Sequence, residues 1–197
     1  MSELFYLTID ILSSKDIGTD SLIQTTSCIL GDKAIFKFRV VGEARILAVV
    51  AVDDVKIIND TTSYLLANGP FKVTCTPLLS YEIWADILGV YNSLTKPPVR
   101  QLKRKYLFGL DVSVNSTAGM TLDAFLELWR QEARAILLSR ENGLSDWQLF
   151  KVLSQNRFVG FCSQDHMVDL EKALLTLPMV KRNFNQLHIT VKVLSTL

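Results

Sequence analysis

Residues 147–194, WQLFKVLSQNRFVGFCSQDHMVDLEKALLTLPMVKRNFNQLHITVKVL, decide the fold because their apolar pattern changes period twice. Strand-forming residues dominate positions 149–155 and 157–163. Asn156 and Arg157 are expected to form the bend where the two runs meet. This first part of the stretch therefore predicts a β-hairpin.

A helix and a further strand follow the hairpin. Helical spacing of leucines covers residues 165–177, and Pro178 is expected to end that helix. Residues 186–194 return to alternation, with their apolar side chains on one face. The stretch thus predicts two strands, a helix and a closing strand.

A fainter copy of this stretch lies upstream. Residues 38–46, FRVVGEARI, align without gaps on residues 150–158, FKVLSQNRF, with the same order of bulky, basic, apolar and small positions. Shorter segments match in the same order elsewhere, including Asp10 with Asp111. A chance alignment of two apolar strand regions would account for part of this match. Four matched segments in one order favour an internal duplication.

Each copy predicts the element order βαββαβ, which is the ferredoxin-like arrangement. The predicted domains are a diverged first unit at residues 1–80, a helix and Pro-containing linker at 81–105, and a second unit at 106–197. A four-stranded sheet of this kind covers one face with helices and leaves the other face needing a partner. We therefore predict an α+β fold in which tandem duplicated ferredoxin-like units pack as an intramolecular α+β barrel.

Composition limits the function classes. The chain has 197 residues, of which 49% are hydrophobic and 21% charged, and its net charge is +1. A sizeable core is therefore expected, and nothing in the charge favours a nucleic-acid partner. The one basic cluster, residues 100–105, is interpreted as a solvated linker. The apolar N-terminus lacks a basic region and predicts a strand, so a cytoplasmic protein without a membrane partner is expected.

Cysteines and histidines show no disulfide or metal pattern in the sequence. Cys28, Cys75 and Cys162 are odd in number and lie among apolar neighbours, which predicts reduced, buried thiols. His166 and His188 have no Cys or His neighbours, so no metal site is predicted. A phosphate-binding glycine loop and a nucleophile elbow are also missing from the sequence.

Several segments of the second unit resemble one family. They are YLFGLDVSV at residues 106–114, the long predicted helix at 121–141, the strand at 149–152 and LLTLPM at 174–179. This combination looks like muconolactone Δ-isomerase, a member of the dimeric α+β barrel superfamily, and the resemblance extends weakly to the first unit. It implies a small enzyme without a cofactor that isomerises an unsaturated lactone by moving a proton.

Proton transfer without a cofactor needs a carboxylate or imidazole in a dry cavity and a cation to hold the oxyanion. Glu132, on the long helix, aligns with a glutamate of that family and is the first candidate for acid or base. An ordinary helix-surface role is the alternative. Lys151 stands where the family has an arginine, and Arg39 occupies the matching position of the first unit. Both are candidates to hold the oxyanion, with an exposed strand position as the alternative.

The candidate substrate-binding residues are mostly aromatic and are predicted to shape a small apolar pocket. They are Trp129, Phe108, Phe158, Phe161 and His166. A helix-cap or surface role is the default for His166. Gly109 and Gly160, inside strand patterns, are expected to allow a bulge or leave cavity space beside the aromatic rings.

The predicted function is a cofactor-free isomerase or cyclase that moves a proton within a lactone-, polyketide- or terpenoid-like substrate. Glu132 would be the acid or base, and Lys151 or Arg39 would hold the developing oxyanion. The competing prediction is a non-catalytic α+β barrel that binds a small ligand or a partner protein, and a cofactor-free oxygenase is a third. An apolar substrate and no cofactor are predicted, while assembly into a homodimer of two-unit chains stays open.

Overall fold

The computed structural model describes residues 2–12, 18–91, 93–96, 102–115 and 120–197. The chain divides into two compact units. Unit 1 is Met1–Leu78 with Lys192–Leu197, and unit 2 is Leu79–Val191. Part of the predicted linker, residues 97–101, lies outside the described residues. The domain bounds drawn from the sequence stay a prediction.

Unit 1 contains strands and helices in the predicted order. They are β1 Glu3–Ile11, α1 Thr19–Leu30, β2 Ala34–Val40, β3 Arg45–Val52, α2 Val55–Ala67 and β4 Phe71–Ser80. Strand β1 pairs with β3 on one side and β4 on the other, and β2 pairs with β3; all three pairings are antiparallel. Alternation buries one face of these strands: Leu7, Ile9 and Ile46 are fully buried, and Leu65 of α2 packs into the same core.

Unit 2 follows a similar order with one helix that the sequence did not predict. Its elements are α3 Tyr81–Ile87, β5 Tyr106–Val114, α4 Leu122–Glu141, β6 Gln148–Val152, β7 Arg157–Gln164, α5 Met167–Thr176, α6 Pro178–Asn183 and β8 Leu187–Thr196. Strand β7 pairs antiparallel with β5 and β6. Helix α5 ends at Thr176, before Pro178, as predicted, and Pro178 is also the first residue of α6, a helix that the sequence did not predict. Proline is tolerated there, since the first helical position needs no N–H bond.

The eight strands of the described chain form an antiparallel, barrel-like sheet, in the order β4-β1-β3-β2 in unit 1 and β8-β5-β7-β6 in unit 2. Together with the six described α-helices this is a mixed α+β fold, consistent with the predicted α+β barrel. The end of β8 pairs with β2 within unit 1, where Leu194 lies opposite Val40. The prediction of fold class is confirmed at this level.

Helix α4, the longest of the described helices, positions the first candidate residue. Thr121 caps its start by accepting the N–H of Ala124 at 3.3 Å, and Gly143, at φ 68°, follows its end. Its buried face carries Leu128, Trp129, Glu132, Ala133, Ile136 and Leu137. Glu132 is therefore the one carboxylate on an otherwise apolar helix face. No helix in the described part of the chain is long and apolar enough to cross a membrane.

Gly160 marks a close approach of two backbones and does not leave space for a ligand. A Cβ atom at this position would lie 2.2 Å from the carbonyl oxygen of Gln148 and 2.9 Å from the Cα of Leu149. Strand β6 therefore approaches β7 so closely that only glycine fits. The expectation of cavity space beside Gly160 is wrong for this reason.

The prediction of three buried thiols is wrong for two of them. Cys28, on α1, and Cys75, on β4, are exposed, whereas Cys162, on β7, is buried. Burial raises the pKa of the Cys162 thiol far above its ordinary value, and the charge of Asp146 raises that pKa further. Cys162 therefore stays protonated and has no nucleophilic character.

Candidate functional site

Glu132 lies inside unit 2 on the buried face of α4. Its side chain is only 6% exposed, so the alternative of an ordinary surface role is wrong. Its Oε2 atom accepts the backbone N–H of Met179, in α6, at 2.8 Å. Burial raises the pKa of Glu132 from its ordinary 4.5 to about 7, and the hydrogen bond from Met179 opposes that rise. The carboxyl group therefore titrates close to neutral pH.

A small apolar cavity, here called the Glu132 cavity, adjoins this carboxyl group. Its volume is about 40 Å³. That is close to the roughly 30 Å³ occupied by one water molecule and far below the roughly 300–1,000 Å³ of ordinary small-molecule sites. Its lining includes Tyr81, Trp129, Phe158, Leu174, Met179 and Val180. The cavity therefore has room for water but not for the substrates that the sequence predicted.

Lys151 is buried, and its side chain bonds to the backbone of the turn between β6 and β7. Its side chain is 8% exposed, and its Nζ atom donates to the carbonyl oxygens of Val152, at 2.8 Å, and Gln155. The ammonium group also lies over the rings of Trp84 and Phe158, 5.2 and 5.5 Å from their centroids. Burial lowers the pKa of Lys151. These contacts fasten the hairpin between β6 and β7, which is a structural task.

Replacing Lys151 with methionine is expected to destabilise the protein by about 1–3 kcal/mol. The carbonyl oxygens of the turn lose their buried donor, and the cation–π contacts are lost. Urea unfolding measures the change, with Lys172→Met as a control at a lysine whose side chain is 70% exposed. The control is expected to change stability by less than about 0.5 kcal/mol. A Lys151→Met protein as stable as the wild type would contradict the turn-fastening role.

Arg39, the other candidate cation, lies on β2 in unit 1. Its Nη1 atom is 2.9 Å from Oδ1 of Asp20, and its side chain is 40% exposed. Exposed pairs of this kind contribute little to stability. Within unit 2, Glu132 accepts the N–H of Met179, and Lys151 donates to the turn carbonyls. Among the described residues, no hydrogen bond or ion pair joins Glu132 to Lys151.

The aromatic candidates divide into two groups. Trp129 and Phe158 line the Glu132 cavity with ring centroids 4.6 Å apart. Phe108 and Phe161 are buried in the core and are not among the described residues that line the cavity. His166 is exposed at the N-cap position of α5, where its side chain makes no capping bond to the described helix. Only two of the five candidates thus border this space.

A larger, polar cleft lies elsewhere in unit 2, and the sequence did not predict it. Its volume is about 550 Å³. The segment before β5, the C-terminal end of α4 and the loop into β6 form it. Its lining includes Lys96, Lys103, Arg104, Arg140, Ser145 and Gln148. We call it the Ser145 cleft.

Arg104 braces the loop that forms part of this cleft. Its backbone N–H donates to Oγ of Ser163 at 2.9 Å, and its guanidinium donates to the carbonyl oxygens of Gly143, at 3.0 Å, and Leu144, at 3.1 Å. These carbonyls follow the C-terminal end of α4, where the helix dipole is negative. The guanidinium therefore offsets that negative end and holds the loop in place.

Arg140 forms a buried ion pair that joins α4 to α3. Its Nη1 atom lies 2.6 Å from Oε1 of Glu82, and the two side chains are 12% and 10% exposed. The same nitrogen donates to the carbonyl oxygen of Trp147 at 3.5 Å. Arg140 is thus fixed in position where it borders the cleft.

Ser145 and Gln148 are the buried polar side chains of the cleft, at 6% and 4% exposure. Within the described residues, Oγ of Ser145 has no hydrogen-bond partner, although buried hydroxyl groups normally have one. Lys96 and Lys103 border the cleft and are exposed. Four basic and two acidic side chains line the cleft, so its charge favours an anion.

No family model matches the chain, and no curated protein matches it. Solved structures do match. A mutant chlorite dismutase from Candidatus Nitrospira defluvii gives a TM-score of 0.60 at 11% identity, over 99% of this chain and 92% of that chain. A second mutant of it, in complex with cyanide, gives 0.59 at 11% identity, over 99% and 91%. The enzyme in complex with imidazole gives 0.56 at 10% identity, over 98% and 91%. At these identities the likeness shows the fold alone.

These structures overturn the predicted resemblance to muconolactone Δ-isomerase. The similar structures are chlorite dismutases, which are haem-dependent enzymes. The prediction of a cofactor-free isomerase or cyclase is therefore wrong, and the competing non-catalytic barrel receives no better support. The segment LLTLPM at residues 174–179, which suggested the family, buries Leu174 and Met179. This segment therefore reflects how an α+β barrel packs and does not indicate a particular reaction.

The described residues of unit 2 do not fit a haem. Haem iron takes a His, Cys, Met or Tyr ligand, and both histidines, His166 and His188, are exposed. The Glu132 cavity has Tyr81 and Met179 in its lining, but its 40 Å³ leaves no room for a macrocycle. None of those ligand types occurs among the described residues that line the Ser145 cleft. Elsewhere in the described chain, too, no group of His, Cys, Asp and Glu is arranged to hold a metal ion.

Proposed function

We propose that the chain recognises a small anionic molecule in the Ser145 cleft, without haem. The buried hydroxyl of Ser145, which lacks a partner among the described residues, carries this proposal. Leaving such a group unpaired costs about 1–3 kcal/mol, and a ligand oxygen would recover that loss. The site and the ligand chemistry both differ from the apolar pocket and proton transfer that the sequence predicted.

The charges around the cleft fit an anion. Arg140 is neutralised by Glu82, and Arg104 offsets the negative end of α4. The exposed Lys96 and Lys103 supply the positive charge for the ligand, next to the two acidic side chains of the lining, Glu141 and Asp146. The hydroxyl of Ser145 then serves as a hydrogen-bond donor to the ligand oxygen.

Size narrows the ligand class. A cleft of about 550 Å³ falls in the range of small-molecule sites, which is about 300–1,000 Å³. Leu94 and Leu137 add apolar surface beside the polar groups. A small molecule that bears a carboxylate or phosphate group fits these features.

Titration of inorganic phosphate into the full chain tests this proposal by calorimetry at low salt. Phosphate is expected to bind the wild type, and Ser145→Ala is expected to weaken binding by about 10- to 150-fold, since a hydrogen bond to a charged group contributes about 1.5–3 kcal/mol. Lys103→Gln is expected to weaken binding by a few-fold, with an effect that shrinks at higher salt.

Matched controls make the same changes at exposed positions of unit 1. They are Ser63→Ala and Lys72→Gln, and both are expected to bind phosphate as the wild type does. Two outcomes would contradict the proposal. One is a wild-type chain that binds neither phosphate nor acetate, and the other is equal weakening in the cleft variants and the controls.

We also propose that the two units are copies of one ferredoxin-like unit. Equivalent ion pairs support this duplication: Asp10–Arg45 at 2.5 Å and Asp111–Arg157 at 2.6 Å. Gly42 and Ser154, which align between the copies, both have positive φ, at 80° and 58°. Relatives that keep these features in both units would support duplication. Relatives that show them in one unit alone would count against it.

A further inference from the structure

The side-chain amide of Gln148 is, with the hydroxyl of Ser145, a buried polar group of the Ser145 cleft. Gln148 is the first residue of β6 and is 4% exposed, and its amide has no hydrogen-bond partner among the described residues. We propose that this amide binds the N–H and C=O groups of a cyclic amide, so that the ligand of the cleft is a lactam or imide bearing a carboxylate or phosphate group. This inference rests on the proposed anion site and names the class of ligand that the site binds.

The other partly buried polar groups of the cleft already have protein partners. Asp146 accepts the backbone N–H of Ser163 at 2.8 Å, the hydroxyl of the same residue, and a further backbone N–H from the segment before β5. The two arginines of the lining bond to loop carbonyl oxygens and to Glu82. Ser145 and Gln148 are therefore the buried polar side chains of the lining that have no partner among the described residues.

The chemistry of an amide side chain indicates which group of the ligand it binds. Glutamine carries both N–H donors and an acceptor oxygen, and buried polar groups are normally paired. A carboxylate offers acceptors only, so it leaves Oε1 of Gln148 without a donor. An open-chain secondary amide is trans and has its N–H and C=O on opposite sides, whereas a lactam has both on one edge. A lactam edge therefore pairs with Nε2 and Oε1 together, as glutamine does with the edge of adenine.

The volume and the apolar lining of the cleft suit such a ligand. One water molecule occupies roughly 30 Å³, so the cleft, at about 550 Å³, holds several times the volume of an inorganic anion. Leu94 and Leu137 are buried and line the same space, where they can contact the carbon atoms of a ring. The hydroxyl of Ser145 and the exposed Lys103 then bind the charged group, and Gln148 binds the amide edge.

Two ligands that differ at one ring position test the inference on the full chain by calorimetry at low salt. Pyroglutamate has a lactam beside its carboxylate, and its carbocyclic analogue, an oxocyclopentane carboxylate, has a methylene in place of the lactam N–H. The wild type is expected to bind pyroglutamate at least about fivefold more tightly, because the analogue leaves Oε1 of Gln148 unpaired. In Gln148→Met the two affinities are expected to become equal. Gln24→Met, at an exposed glutamine of unit 1, is the matched control and is expected to keep the wild-type preference.

Each alternative outcome overturns the inference. Equal binding of the two ligands by the wild type, a comparison that needs no variant, would show that Gln148 does not pair with a lactam, while phosphate binding would still support the anion site. A preference that persists in Gln148→Met would assign recognition of the amide to another group. Pyroglutamate that binds without displacing phosphate would place the lactam outside the Ser145 cleft. Absence of binding by phosphate, acetate and pyroglutamate alike would overturn the anion site and this inference together.

Discussion

Replacing Glu132 with glutamine is expected to stabilise the folded protein by about 1 kcal/mol at pH 5 and about 3 kcal/mol at pH 8. The physical reason is the cost of burying a charged carboxylate next to an apolar cavity, which raises its pKa to about 7. Glutamine keeps the shape of the side chain and an oxygen that accepts the N–H of Met179. It removes only the charge.

The sign of this pH dependence follows from the two pKa values of Glu132, about 7 when folded and 4.5 when hydrated. As the pH rises above 4.5, the unfolded chain loses this proton first, so wild-type stability falls until the pH passes about 7. Urea unfolding at pH 5, 6, 7 and 8 measures the difference between variant and wild type. Glu127→Gln, at an exposed glutamate on the same helix, is expected to track the wild type. A constant difference between Glu132→Gln and the wild type across this range would contradict the account.

Removing one partner of the Glu82–Arg140 pair is expected to lower the free energy of unfolding by about 3–5 kcal/mol, because the other charge is left buried and unpaired. Both side chains are nearly nine-tenths buried, at 12% exposure for Arg140 and 10% for Glu82. Glu82→Leu and Arg140→Met are the single variants. The double variant has no unpaired buried charge, so its loss of stability is expected to be smaller than the sum of the losses of the two single variants.

A double-mutant cycle by urea unfolding measures the coupling within this pair, which is expected to reach about 2 kcal/mol or more. The exposed pair Arg39–Asp20 is the comparison, and its coupling is expected to stay below about 1 kcal/mol. Additive effects of Glu82→Leu and Arg140→Met would mean that the pair is solvated and does not join α3 to α4.

Much of the fold could be predicted from the sequence, because alternation in strands and helical spacing leave a clear pattern. Strands β3 and β5 were predicted at their observed bounds, Arg45–Val52 and Tyr106–Val114. Helix α6 was missed because Pro178 was interpreted only as a helix stop, although proline also suits a first helical position. The family was predicted wrongly because apolar segments such as residues 174–179 report core packing, which many barrels share.

The candidate site could be predicted only in part. Glu132 was chosen because apolar residues lie near it on α4 and because it aligns with a glutamate of the muconolactone isomerase family. The resemblance was wrong, but the structure does place Glu132 inside unit 2. The Ser145 cleft left no signal, because Lys103, Arg140 and Ser145 come from separate segments that only the folded chain brings to one cleft. The partners of Lys151 could not be predicted from the sequence either, since they are backbone carbonyl oxygens at the end of β6 and in the following turn.

Anion binding in the Ser145 cleft without haem can be followed by the amide chemical shifts of the haem-free, ¹⁵N-labelled chain during a phosphate titration. Saturable shifts are expected at Lys103, Ser145 and Gln148, and none at Trp129 and Phe158, which line the Glu132 cavity. Shifts centred on Trp129 and Phe158, or no saturable shift at the cleft, would contradict it.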